Sequence, residues 1–214
     1  MKKLVKLFVF SILALISVQT FAQKIGVQGG INLATMLAKD DESTYSDEFD
    51  MNLGFNAGIT FEIGFNDLLS LEAGVMADSK GFDWDTDFLG IPVKTEFNLL
   101  YLDVPVLIKV GPSFGPVKVF GAAGPYVGFG ISGKIKAEAQ GTSTTEDVNW
   151  GDSEDSDLKS LDYGAKFGAG VEVKGFTLGA YYSLGLANVE PVSEGGSKSQ
   201  HRVLSFSVGY KIGI

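Results

Sequence analysis

The chain has 214 residues, 28 glycines, 12% aromatic residues and a formal net charge of −9, enough length for one large domain or two small ones. Cysteine is absent, which excludes a disulfide framework, a thiolate metal centre and a Cys nucleophile. The acidic balance argues against a nucleic-acid partner, because neutralising phosphates takes clustered Lys and Arg.

The N-terminus reads as an export signal. "MKKLVK" is basic, "LFVFSILALISV" is apolar, and "QTFA" places Thr20 and Ala22 where a signal peptidase needs small residues. The apolar run is short for a bilayer span, so a cleaved signal over residues 1–22 is expected rather than a retained anchor. The mature domain is then 23–214.

From there the pattern is alternation. Met51 to Ile63, "MNLGFNAGITFEI", sets Met51, Leu53, Phe55, Ile59 and Phe61 against Asn52, Asn56, Thr60 and Glu62. Side chains change face at each residue of a strand, so one face is apolar and the other wet. The same alternation runs over Lys24–Leu33, Leu69–Ala77, Asn98–Val110, Val117–Ile131, Leu161–Val173, Phe176–Leu186 and Arg202–Ile214. That predicts eight strands, an even number.

The connections differ in length. "GFNDL", "GPSFGP" and "KG" are short, the last with the form of a tight hairpin turn. Thr35–Asp50, Asp78–Phe97, Ser132–Ser160 and Ala187–His201 are long and polar, and read as loops. Short turns at one end and long loops at the other describe an outer-membrane barrel with periplasmic turns and extracellular loops.

Volume decides which way the apolar face points. An eight-stranded lipocalin-like interior holds packed side chains or one small ligand. Phe55, Phe61, Phe129, Phe167, Phe176, Tyr182, Phe206 and Tyr210 could not all enter it, whereas the Gly- and Ser-rich opposite face suits a narrow lumen. A β-sandwich uses strands of about five or six residues. Most of these run ten or more, near the roughly 9–11 a tilted strand needs to cross a bilayer. The expected fold is all-β: an eight-stranded antiparallel up-and-down transmembrane β-barrel.

The lumen then receives Glu62, Glu72, Asp103, Asp162 and Glu172 together with Lys24, Lys109, Lys118, Lys166 and Lys211. Buried charges need partners, so an internal ion-pair network that fills the barrel is expected, in preference to an ion path. Pro105 lies mid-strand and cannot donate to a ladder, so a bulge or kink is expected near Asp103 to Pro105.

"YLDVPVLIKVG" (Tyr101 to Gly111) resembles a strand of the PorT-like outer-membrane β-barrel family of Gram-negative bacteria. "KIGVQGGINLATM", "GPYVGFGISGKIK", "YGAKFGAGVEV", "YYSLGLANV" and "HRVLSFSVGYKI" are similar to its other strands in the same order. The resemblance covers nearly the whole mature chain and implies an eight-stranded barrel in the outer membrane. The family's founding member is associated with protein secretion, and most relatives have no assigned activity. Ile214 stands where the usual assembly signal has a terminal aromatic, although Tyr210, Ile212 and Ile214 keep the alternation.

Chemistry has few footholds. His201 is the sole histidine, beside Ser199 and Ser205, with no G-x-S-x-G or zinc pattern, and reads as a solvated loop residue. The acidic runs Lys39–Asp50, Asp78–Asp87 and Glu146–Asp157 lack the EF-hand spacing and read as solvating surface, with divalent-cation bridging to lipopolysaccharide as the alternative. "GPYVGFGISG" sits on a strand with no following helix and is not a phosphate loop. No catalytic, cofactor or metal residue is expected. The function expected is a non-enzymatic envelope barrel, structural or partner-binding, with a role in secretion. A barrel enzyme acting on envelope lipid or peptide, or a narrow pore, is the alternative. The expected partners are outer-membrane lipid and lipopolysaccharide, the barrel assembly machinery, and a protein reached through the extracellular loops, with no nucleic acid.

Overall fold

A computed structural model describes residues 22–39, 49–88, 91–192 and 196–213. The expected signal peptide (save Ala22), most of the Lys39–Asp50 acidic run and Ile214 lie outside the described residues. The elements are β1 (Ala22–Lys39), β2 (Phe49–Asp50), β3 (Asn52–Gly64), β4 (Leu69–Phe88), β5 (Ile91–Val110), β6 (Ser113–Phe114), β7 (Val117–Ala139), β8 (Thr142–Asp147), β9 (Leu161–Val173), β10 (Phe176–Gly185) and β11 (Lys198–Gly213).

Eight of them close a ring. Neighbours pair antiparallel in the order β1, β3, β4, β5, β7, β9, β10, β11, and β11 returns to β1 through a continuous register from Lys24↔Gly213 to Lys39↔Lys198. A closed ring leaves no sheet edge, which is the condition for crossing hydrocarbon with strands. The short strands β2, β6 and β8 attach to the walls without entering the ring.

The apolar face points outward, as the volume argument requires. On β11, Val208 is 62% exposed while its neighbour Ser207 is 5% exposed. Ile25, Leu53, Phe129, Phe167, Phe176 and Leu178 continue that outer surface around the ring. The buried face carries Asn, Ser, Thr, Asp, Glu and Lys.

The "KG" connection is the tight turn expected. Lys174 (φ 50°) and Gly175 (φ 88°) both take left-handed conformations between the paired residues Val173 and Phe176. Two left-handed residues match the twist of the strands they join. Gln140 (φ 52°) and Gly141 (φ 78°) repeat the arrangement between β7 and β8.

Three expectations need correction. The Asp78–Phe97 segment is not a loop: β4 and β5 run 20 residues each and pair to their tips, Phe88↔Ile91. Crossing a bilayer takes about half that length, so the rest stands beyond the membrane as a hairpin. Likewise β7 runs 23 residues and Ser132–Ser160 contains β8. Finally, the β4–β5 ladder is interrupted at Pro105 and Val104, as the missing donor requires, but no register shift occurs there. The β4–β5 pairing passes from Ala73↔Val106 to Met76↔Asp103 in unchanged register, and Gly74 receives the proline ring, whose Cγ would lie 3.6 Å from a Cβ there. The shift on β5 falls earlier, where Leu100 pairs Ser132, Tyr101 pairs Gly130, and Ile131 of β7 is the extra residue.

Because the outer belt needs an apolar solvent, the barrel is expected to require detergent and to show a faster band in unheated SDS gels than after boiling. A single band position under both conditions would rule out a stable closed ring.

Candidate functional site

The interior has three levels. Nearest the short turns, Glu62 and Glu72 face each other across β3 and β4. Like charges directly opposite repel. Lys109 holds them by donating to Glu62 Oε2 at 3.0 Å and Glu72 Oε2 at 3.2 Å, and Lys211 donates to the same two oxygens. Lys24 pairs with Glu172, whose other oxygen lies 3.9 Å from Lys211 Nζ. Lys109 also lies 4.0 Å from the centre of the Phe120 ring. Three carboxylates meet three ammonium groups, so this level is neutral.

The middle level centres on Lys80, which is fully buried. Its ammonium donates to Asp103 Oδ1 at 2.9 Å and Asp162 Oδ2 at 2.8 Å, and lies 4.6 and 4.7 Å from the centres of the Tyr101 and Tyr126 rings. Tyr126 donates to Asp162 at 3.0 Å. Beside it runs a polar chain in which Ser207 donates to Asn56, Asn56 to Asn32, and Asn32 to Asp78, at 2.8, 2.7 and 3.0 Å. Lys166 stands 3.9 Å from Asp78.

The sequence-predicted lumen set therefore holds for Glu62, Glu72, Asp103, Asp162, Glu172, Lys24, Lys109, Lys166 and Lys211. Lys118 is half-buried and forms no ion pair among the described residues. Lys80 and Asp78 were hidden in the segment read as a loop. Extending the alternation from Glu72 through Met76, Asp78, Lys80 and Phe82 would have placed both inside.

The outer level is apolar. Met36, Phe82, Leu99, Tyr101, Val148, Leu158 and Val189 are buried together, with Trp150 packed on them. Trp150 meets Tyr101 edge-on at 5.5 Å and lies over Gly130, where a Cβ would come within 2.6 Å of the indole. The acidic Glu146–Asp157 run is folded rather than splayed. Asp157 accepts from the Asn149 backbone at 2.8 Å, and the Asn149 side chain donates to the Asp155 carbonyl at 2.8 Å. Lys159 N donates to the Val189 carbonyl at 2.8 Å, tying two long connections across the mouth. Among the described residues no group of three His, Asp or Glu side chains is placed to hold a metal ion.

His201 corrects the reading of a solvated loop. It belongs to β11, is buried beneath this cap, and shares a 3.2 Å hydrogen bond between Nε2 and the Tyr101 hydroxyl. Its Nδ1 has no hydrogen-bond partner, and neither Ser199 nor Ser205 bonds to the ring. On the exposed hairpin, Asp83 at 3.7 Å and Glu96 at 3.4 Å hold the Lys94 ammonium above its ordinary pKa.

Residues 21–190 match the family described as "Outer membrane protein beta-barrel domain". The chain belongs to that family. Outer-membrane barrels place their short turns in the periplasm and their loops outside, so the apolar level of this family member closes its extracellular mouth. No curated protein matches the sequence at a significant level. Among solved structures, OprG of Pseudomonas aeruginosa is 15% identical with a TM-score of 0.43, covering 90% of this chain and 97% of that one. Ail of Yersinia pestis is 14% identical with a TM-score of 0.41, covering 88% and 98%. The outer membrane protein W of E. coli is 14% identical with a TM-score of 0.41, covering 91% and 100%. Those values transfer nothing to this barrel, whose fold stands on its own closed ladder.

Removing one member of a buried ion cluster leaves an uncompensated charge, at about 3–5 kcal/mol. Lys80→Met is expected to lower the barrel's stability by about that much in urea unfolding from micelles. The triple variant Lys80→Met/Asp103→Asn/Asp162→Asn should recover most of the loss. Equal midpoints for Lys80→Met and the unaltered barrel would contradict the cluster's role.

Proposed function

We propose that this barrel is a sealed, non-enzymatic envelope protein that offers its looped outer end to a protein partner. One observation carries the reading: paired ions fill the two lower levels of the lumen and an apolar cap covers the third. Such an interior has no use as a conduit, while the hairpin of β4 and β5 extends the walls outward as a platform. Lipopolysaccharide surrounds the outer leaflet half of the belt, and the barrel assembly machinery inserts the chain. The likeness of Tyr101 to Gly111 to the PorT-like strand supports membership of that subfamily and a part in secretion.

The enzyme reading is disfavoured by the placement of His201. A general base must reach the proton it takes, directly or through one water. His201 is enclosed and bonded to Tyr101 rather than to a serine.

Purified barrel in planar bilayers is expected to show no steady nanosiemens-scale conductance. Removing the cap by Trp150→Gly with Val148→Gly should still give none, because the ion levels lie beneath it. Sustained open-channel current from the unaltered protein would establish the narrow pore instead. His201→Ala should leave any hydrolytic activity of the preparation on envelope lipid unchanged, whereas its selective loss in a folded variant would restore the enzyme.

A further inference from the structure

We propose that the extracellular mouth holds a binding site for a small organic cation with an ammonium head and an apolar or aromatic body. The site is independent of the reading above, since it lies above the cap and needs neither a conduit nor a protein partner. A cavity of about 390 Å³ opens at the base of the β4–β5 hairpin, between it and the folded loops. That volume falls within the range of about 300–1,000 Å³ typical of small-molecule sites.

Its walls are of two kinds. One side is aromatic, built by Phe49, Phe82, Trp84 and Phe97 from three strands. Phe49 meets Phe82 edge-on at 5.0 Å and Trp84 at 6.4 Å with the planes tilted 54°, while Phe82 and Phe97 stack at 4.2 Å. The rings are thus fixed against one another at differing angles, with Trp84 38% exposed at the rim. The other side carries the carboxylates of Glu190 and Asp157.

Charge decides the ligand. The negative faces of aromatic rings attract a cation, most strongly at Trp. Among the described residues no Lys or Arg lines the cavity, and neither Glu190 nor Asp157 is paired with one. Glu190 accepts from two neutral donors: Ser197 and Ser199 each donate a hydroxyl to it, one on each oxygen. Those bonds also hold the carboxylate in place. An anion would meet two carboxylates and an aromatic wall, and a neutral apolar molecule would leave the carboxylates unused. An alkylammonium satisfies both walls at once.

The test uses the full mature barrel in maltoside micelles, free of choline-headed detergent or lipid. Benzyltrimethylammonium is titrated by calorimetry, with benzyl alcohol as the neutral aromatic control. Saturable one-to-one binding is expected. Glu190→Gln and Trp84→Leu, each checked for the heat-modifiable folded band, should each weaken it about tenfold, the loss of about 1.4 kcal/mol of charge or ring attraction. Glu190→Gln retains acceptor and donor atoms for the two serines, so a folded variant is expected there even if the tryptophan change disturbs the hairpin. Absence of saturable binding, equal affinity in Glu190→Gln, or benzyl alcohol binding as tightly as the cation would each overturn the proposal.

Discussion

A peptide group left unpaired in hydrocarbon costs several kcal/mol, and this single penalty organises the molecule. It forbids an edge, so β11 must return to β1, and their sixteen-residue pairing is the seam on which the ring depends. Closure then divides every strand in two. Alternate residues face lipid and must be apolar; the remainder face a lumen too narrow for much water and must satisfy one another.

That second demand explains the arrangement of the interior. Eight strands enclose little more than side-chain volume. Charges placed there are stable only with partners at hydrogen-bonding distance, and the two ion levels meet that requirement by sharing. Lys109 and Lys211 each bridge both glutamates of one cross-strand pair, and Lys80 bridges Asp103 and Asp162. Each of these cations bridges two carboxylates on different strands and so ties the walls together.

The ring, its handedness of faces and much of its ion content were legible because they obey period two. Met51 to Ile63 states the rule and the seven other stretches repeat it. What was not legible broke a rule of composition rather than of period. "DSKGFDWDTDF" looks like a polar loop when acids are counted, yet Lys80, Phe82 and Trp84 keep the alternation and the segment pairs as strand. His201 looked exposed because its neighbours are polar. Two of them, Ser199 and Ser205, share with the histidine the buried phase of β11. The cap was out of reach altogether. Val148, Leu158 and Val189 belong to segments without periodicity, and their convergence depends on hydrogen bonds between two connections far apart in the chain.

The extra residue at Ile131 accounts for how a charged lumen gives way to that apolar cap. Below it, the inward phase of β7 falls on even residues, including Gly128 and Gly130. Continued upward without interruption, the same phase would turn Ser132, Lys134 and Lys136 toward the mouth. The insertion moves the phase to odd residues: Gly133 is buried under Val148, Ile135 packs on the cluster, and Lys134 is exposed. Gly130, just before the shift, supplies the hollow for Trp150. A bulge changes which face a strand presents without breaking the pairing that continues on either side. Here it converts one strand from wall of an ion cluster to wall of an apolar plug within a single residue, and the Glu146–Asp157 loop folds over the surface so created.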